Sequence, residues 1–299
     1  MGHMNIRARP GVGLLLLAVL AVVLSACSSS SPEPAAGTAS VVSAPVRVAR
    51  TRLGTVGYRV VGRGSPLVLI MGYGLTMEGW DPRLVHALAE HHQVVMFDNS
   101  GIGRTQQLPA PVSIDAMADQ ASALISTLGL RRPDVLGWSL GGAIAQALAV
   151  RHPTQVRDLV LSATFPGNKT DVPAPASATP VNGGDFPADQ TRAYDAAKTA
   201  IAEFPTTSRA PAATHGEQSN ALSDWDDGVD AAGLRTGQIA ARTLIADGAE
   251  DALDPVRNDQ TLHRLIRGSR LKLYPDAGHA FLFQDWSSFG AEVSQFLSS

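Results

Sequence analysis

The pentapeptide Gly137-Trp138-Ser139-Leu140-Gly141 is the stretch of this sequence best suited to chemistry. It follows the apolar run Asp134-Val135-Leu136 and leads into a helical pattern over residues 140–151. A Gly-x-Ser-x-Gly between strand and helix makes a nucleophile elbow, a strained turn that exposes a serine hydroxyl at the end of a sheet. Small residues must flank that serine because strand and helix crowd there, and Gly137, Gly141 and Gly142 meet the need. The helix that follows points its N-terminus at the serine, where its partial positive charge favours a developing anion. Other chemistries find less support. No cluster of His, Cys, Asp or Glu has zinc-ligand spacing, so no metal is expected. Gly101 and Gly103 lack the acidic ribose partner of a dinucleotide site and read as a structural turn, so no cofactor is expected either.

An elbow needs a sheet behind it. Leu67-Val68-Leu69-Ile70, Val94-Val95-Met96-Phe97, Leu159-Val160-Leu161, Thr243-Leu244-Ile245-Ala246 and Leu271-Lys272-Leu273-Tyr274 read as further strands. Most are continuous apolar runs, as expected of strands buried on both faces. Residues 46–61 read as two strands joined near Gly54. Helical patterns over 81–90, 114–128, 140–151, 255–266 and 286–296 alternate with the strands. That alternation predicts an α/β fold: a mostly parallel central sheet with helices on both faces. Residues 166–234 break the rhythm. They are rich in Pro, Ala, Thr, Gly and Asp, with a modest helical pattern only at 190–204. A structureless loop of that length is unusual in a compact domain, so the segment is expected to be an inserted lid. The core is then 45–165 together with 235–299.

The 299 residues are 44% hydrophobic and 17% charged with a net charge of −3, a balance that gives nucleic acid no basic footprint. The one cysteine, Cys27, excludes a disulfide within the chain. Arg7 and Arg9 precede the apolar run 14–24, and small residues follow it, the pattern of a signal peptide over 1–26. Leu24-Ser25-Ala26-Cys27 resembles the bacterial lipobox, whose cysteine is lipidated and becomes the mature first residue. The resemblance implies an exported cell-envelope lipoprotein, anchored to a membrane through Cys27. Residues 27–44, rich in Ser, Pro, Ala and Gly, are expected to form a flexible tether.

From about Val46 onward the chain resembles the α/β-hydrolase superfamily, in its esterase, haloperoxidase-like and C–C hydrolase branch. Five motifs carry the resemblance in order. Met71-Gly72-Tyr73-Gly74 stands where the family shows His-Gly-x-Gly. Asp98-Asn99-Ser100-Gly101-Ile102-Gly103-Arg104-Thr105 resembles the Asp-x-x-Gly-x-Gly-x-Ser turn. The elbow is third, and Gly248-Ala249-Glu250-Asp251 and Ala277-Gly278-His279 resemble the acid and base loops. The resemblance implies a triad of Ser139, Asp251 and His279. It also implies an oxyanion hole built from the backbone N–H groups of Tyr73 and Leu140. Serine is a weak nucleophile alone, and an imidazole titrating near neutral pH suits the task of taking its proton. The remaining histidines read as bystanders: His86 and His263 in helices, His91 and His92 in a turn, His152 ending the elbow helix, His215 in the lid and His3 ahead of the expected cleavage. Four acids crowd one loop. Asp247 ends its strand too early to reach the base loop, Glu250 points elsewhere, and Asp254 before Pro255 has the signature of a helix N-cap. Asp251 stands at the family position. Met71 departs from the family's histidine, which braces the oxyanion loop.

Hydrolysis of carboxylic esters is the leading expectation, on a small ester-like substrate. C–C bond hydrolysis and perhydrolysis use the same triad and stand as alternatives. C–C hydrolases bind a substrate carboxylate with an arginine in or near the lid, a part open to Arg192 and Arg209. A non-catalytic surface lipoprotein that kept the fold is the remaining alternative.

Overall fold

The computed structural model describes residues 41–167, 169–173, 185–205 and 210–299. The expected signal peptide, Cys27 and Arg209 lie outside the described residues. Eight strands build one sheet in the order β1-β2-β4-β3-β5-β6-β7-β8. They are β1 (Arg47–Thr51), β2 (Gly54–Val61), β3 (Ser65–Ile70), β4 (His92–Phe97), β5 (Asp134–Trp138), β6 (Asp158–Ser162), β7 (Arg242–Gly248) and β8 (Arg270–Tyr274). β2 pairs antiparallel with β1 and β4, and β4 through β8 run parallel.

Four helices of the core cover the two faces: α1 (Pro82–Ala89), α2 (Ile114–Thr127), α3 (Leu140–Arg151) and, last in the chain, α8 (Trp286–Ser298). Alternation along β3 assigns the faces. Leu67 and Leu69 join Leu84, Leu88, Phe289 and Val293 of α1 and α8 in one cluster. Val68 and Ile70 join Met117, Ala121, Ile144 and Leu148 of α2 and α3 in the other. Both sides of the strand are thus apolar, which is why the sequence reads as unbroken runs. The helix starts are specified locally. Asp81 Oδ1 accepts from Arg83 N at 2.8 Å ahead of Pro82, and Ser113 Oγ accepts from Ala116 N at 3.1 Å. Such caps are worth about 1 kcal/mol each.

The lid contains α4 (Thr191–Ile201), α5 (Ala212–Asp226) and a 3₁₀ turn at Gly233–Gln238. α5 was not expected. Its buried residues are Thr214, Gln218, Ala221 and Trp225, one helical stripe of which half is polar. Trp225 is fully buried and its Nε1 donates to Phe165 O at 3.3 Å, securing α5 to the core. Helices α6 (Arg257–Leu265) and α7 (Phe281–Gln284) complete the fold. No helix among the described residues is long and apolar enough to cross a membrane.

Three local expectations need correction. The tether does not run to Ala44: Val41–Ser43 form a 3₁₀ turn, Val41 and Ala44 are buried, and the Arg59 guanidinium donates to Ala44 O. His92 is not in a turn but opens β4, buried, with Nδ1 3.1 Å from Ser65 Oγ. Asp254 caps no helix. The residue before α6 is Val256, and Asp254 Oδ1 instead accepts from Asn258 Nδ2 at 2.6 Å.

Candidate active site

Ser139 follows β5 and caps α3 with φ 56° and ψ −120°, a backbone conformation that few residues other than glycine adopt. Such strain costs about 1–3 kcal/mol and persists only where surroundings enforce it. Here Ser139 N donates to Ser162 O of β6 at 2.9 Å, while Ser139 O accepts from Gly142 N at 2.8 Å and Thr164 Oγ1 at 3.0 Å. The glycines allow the turn to close. A Cβ on Gly137 would sit 2.2 Å from Gly141 O, and one on Gly141 would sit 2.0 Å from Ile70 O. The Ser139 side chain is half-buried, and its hydroxyl has no hydrogen-bond partner among the described residues.

The acid and base loops are stitched together beside the elbow. Ala249 N donates to Tyr274 O at 2.8 Å and Glu250 N to Ala277 O at 2.9 Å. A Cβ on Gly248 would collide with Ala277 O at 2.2 Å, so only glycine permits this approach. The pairing brings His279 Nδ1 to 2.7 Å from Asp251 Oδ2, both residues buried. The other oxygen, Asp251 Oδ1, accepts from Leu253 N at 2.7 Å and Asp254 N at 2.8 Å. A carboxylate only accepts, so Nδ1 carries the hydrogen and Nε2 of the neutral ring is left to take a proton. Trp138, the unspecified second position of the elbow, ties base loop to elbow: its Nε1 donates to His279 O at 3.0 Å.

Burial pulls the His279 imidazole down. The Asp251 charge, its hydrogen bond and the Asp185 carboxylate outweigh that and hold the ring up at about 9. Asp185 belongs to the lid, and its backbone O accepts from Ala280 N at 2.7 Å, next to the base. Burial pushes the Asp185 carboxyl up, and the neighbouring His279 pulls it back.

Tyr73 follows β3 and Leu140 opens α3. No acceptor among the described residues takes up either backbone N–H. Met71 is buried in the core, and its carbonyl accepts from Asn99 Nδ2 at 2.9 Å, a brace supplied by the second motif of the sequence. Beside Trp138 and Ala280 opens a cavity of about 320 Å³, walled mainly by Leu75, Phe186, Tyr194, Ile201 and Phe283, with Glu78, Asp185 and Lys198 also in its lining. Arg192 is exposed on α4 and is not part of this lining. Sequence reasoning missed Trp138, Asn99 and Asp185 as parts of the site. Asn99 and Trp138 each lie inside a recognised motif, at positions the motif leaves open.

The family model for the α/β hydrolase fold matches residues 65–227. A pimeloyl-[acyl-carrier protein] methyl ester esterase of Neisseria meningitidis is 31% identical over 241 residues, 77% of this chain and 75% of that protein. A 2-hydroxymuconate semialdehyde hydrolase of Pseudomonas sp. strain CF600 is 28% identical over 79% of this chain and 88% of that protein. An α/β-hydrolase fold protein from Chitinophaga pinensis shares the fold with a TM-score of 0.72 at 24% identity, over 86% of this chain and 98% of that one. The chain belongs to the α/β-hydrolase fold family. It is a hydrolase of that family, with esterases and a C–C hydrolase among its relatives.

Proposed function

We propose that this hydrolase cleaves largely apolar carboxylic esters through an acyl-enzyme on Ser139. The observation that carries the reading is the 2.7 Å pairing of His279 Nδ1 with Asp251 Oδ2 beside a strained serine elbow. Ser139 Oγ attacks the ester carbonyl while His279 Nε2 takes its proton. The carbonyl oxygen becomes an oxyanion, met by the N–H groups of Tyr73 and Leu140 at the positive end of α3. Collapse expels the alkoxide, which leaves as alcohol with the proton from His279. A water then gives its proton to His279 and attacks the acyl carbon, releasing the carboxylic acid and returning the proton to Ser139. Asp251 holds the ring in the tautomer that these transfers require.

The cavity supports the substrate class. Its walls are mostly apolar and aromatic, and its size is that of a small-molecule site. A relative named as a methyl ester esterase agrees with this reading. Leu24-Ser25-Ala26-Cys27 further supports export and anchoring by a lipid on Cys27. The test is a chain-length series of p-nitrophenyl esters beside a dienoate C–C substrate, with fluorophosphonate labelling. Esters are expected to turn over in the wild type, and Ser139→Ala is expected to lose both turnover and labelling. Faster C–C cleavage than ester hydrolysis would refute the substrate class, and labelling that survives Ser139→Ala would refute the nucleophile.

A further inference from the structure

The loop that carries Tyr73 is held from the lid. Gly74 N donates to Gln218 Oε1 of α5 at 2.8 Å. Gly74 O accepts from Ala210 N at 3.1 Å, just ahead of the same helix. Tyr73 Oη donates to His215 O at 3.1 Å, and the two rings meet edge to face at 5.2 Å. One turn along, Thr214 Oγ1 donates to Gly101 O at 3.2 Å. The contact is close enough to demand glycine: Gly74 has φ +70°, and a Cβ there would lie 2.3 Å from the His215 ring. Gln218 is 1% exposed, and its Nε2 has no partner among the described residues. A buried amide is expensive when half satisfied. Its position on the inner stripe of α5 therefore calls for a reason beyond packing.

We propose that Gln218 is a positioning residue for the oxyanion hole, and that α5 is a structural part of the catalytic centre. The acceptor of Gln218 engages the N–H of Gly74. That leaves the N–H of Tyr73, one residue earlier, as the donor the loop offers to a reacting carbonyl. Asn99 fixes the start of the loop through Met71 O, and Gln218 fixes its end. Together they brace a loop whose family histidine is replaced by Met71. Gln218 touches no reacting atom. It acts by aiming one that does.

The rate measurements rest on the ester-hydrolase reading. Gln218→Met keeps the length of the side chain and removes the acceptor. Turnover is measured on p-nitrophenyl butyrate per active site titrated with fluorophosphonate. Alongside it come KM, the Ki of a trifluoromethyl ketone that forms a tetrahedral adduct, and deuterium uptake over residues 72–75. Losing an oxyanion donor outright costs about 100–1,000-fold, so a misaimed one is expected to lower kcat about 10–100-fold. KM should stay near its wild-type value, Ki should rise in step with the loss in kcat, and the 72–75 segment should exchange faster. His215→Ala, a milder cut at the same contact, is expected to follow with a smaller loss and serves if Gln218→Met does not fold. If α5 only covers the substrate, KM and ester selectivity will move while kcat per site and Ki hold, and the proposal is overturned. Unchanged exchange at 72–75 overturns it as well. A wild type without esterase activity removes the ester reading, yet the exchange result still decides whether Gln218 holds the loop.

Discussion

The pH dependence of turnover is where the electrostatics of the site can be measured, and Asp185→Asn is the most informative change. With His279 held up at about 9, only about one imidazole in a hundred is neutral at pH 7 and able to accept the Ser139 proton. The wild-type kcat/KM on an uncharged ester should therefore climb about tenfold per pH unit and level off past a midpoint near 9, since this quantity follows the free enzyme. Asp251 and Asp185 hold the ring up, and Asp251 does most, by charge and by hydrogen bond. Asp185 acts by charge alone. A neighbouring charge in contact moves a titration midpoint by about 1–3 pH units. Asp185, which makes no hydrogen bond to the ring, stands at the low end of that scale, about one pH unit. Removing a negative neighbour destabilises the imidazolium, so the midpoint must fall below 9. More imidazole is then neutral at pH 7, and kcat/KM there should rise up to about tenfold while the plateau changes little. Rates from pH 6 to 10 on p-nitrophenyl butyrate, with melting temperature as a control, provide the assay. A wild-type midpoint near 6.5, or a midpoint in Asp185→Asn that stays put or rises, would show that the carboxylates around His279 do not set its basicity.

The remaining expectations concern other parts of the chain. Asp251→Asn should keep the fold and lose about 10⁴ in turnover, the cost seen when the orienting acid of a serine-protease triad is replaced in this way. Asp254→Asn should stay near wild-type turnover, because an amide still offers an oxygen to Asn258 Nδ2 without a charge to bury. The reverse pattern would reassign the acid. Asp259, pushed up to about 7 by burial, binds its proton more tightly when folded, so it stabilises the fold below about pH 4 and loses that contribution as pH rises toward 7. Asp259→Asn should flatten the fall in melting temperature across that window, and an unchanged slope would exclude Asp259 as its source. Cys27→Ser should abolish palmitate labelling and release the protein from the membrane fraction, and retention of both would count against lipidation.

How much was legible in the sequence depends on whether a signal lay in apolar pattern or in polar contact. β3 to β7 announced themselves because both of their faces are apolar. The elbow glycines were legible for the reason the structure gives: any Cβ at 137 or 141 collides with backbone. α5 was not legible. Its inner stripe has regular helical spacing, but Thr214 and Gln218 hold two of its four positions, so no apolar periodicity reports it. Those same two side chains bond to the loops at Gly101 and Gly74. The lid was hard to read where it bonds to the core through polar side chains. Asp254 was misread for a related cause. Asp-Pro ahead of a helical pattern is a strong start signal, yet the helix begins at Arg257 and the carboxyl turns inward to Asn258.

Asp251, the acid of the proposed triad, lies close to three other buried carboxyls, Asp247, Asp254 and Asp259. Sequence order singled out Asp251 by its family position, and the structure supplies a physical distinction. Asp247, Asp254 and Asp259 are all buried, and burial pushes each of them up, the first two well above the ordinary carboxylate range. Asp247 and Asp259 lie against each other, where two charges would repel. A buried acid in that condition holds its proton, and a neutral acid offers an imidazole little stabilisation. Asp251 is surrounded differently. Two backbone N–H groups point at one of its oxygens and the His279 ring at the other, so both oxygens are engaged by donors. On this account Asp247 and Asp254 are permissible behind Asp251 because burial keeps their protons on. At a pH high enough to ionise them, the fold should weaken along with the orientation of His279.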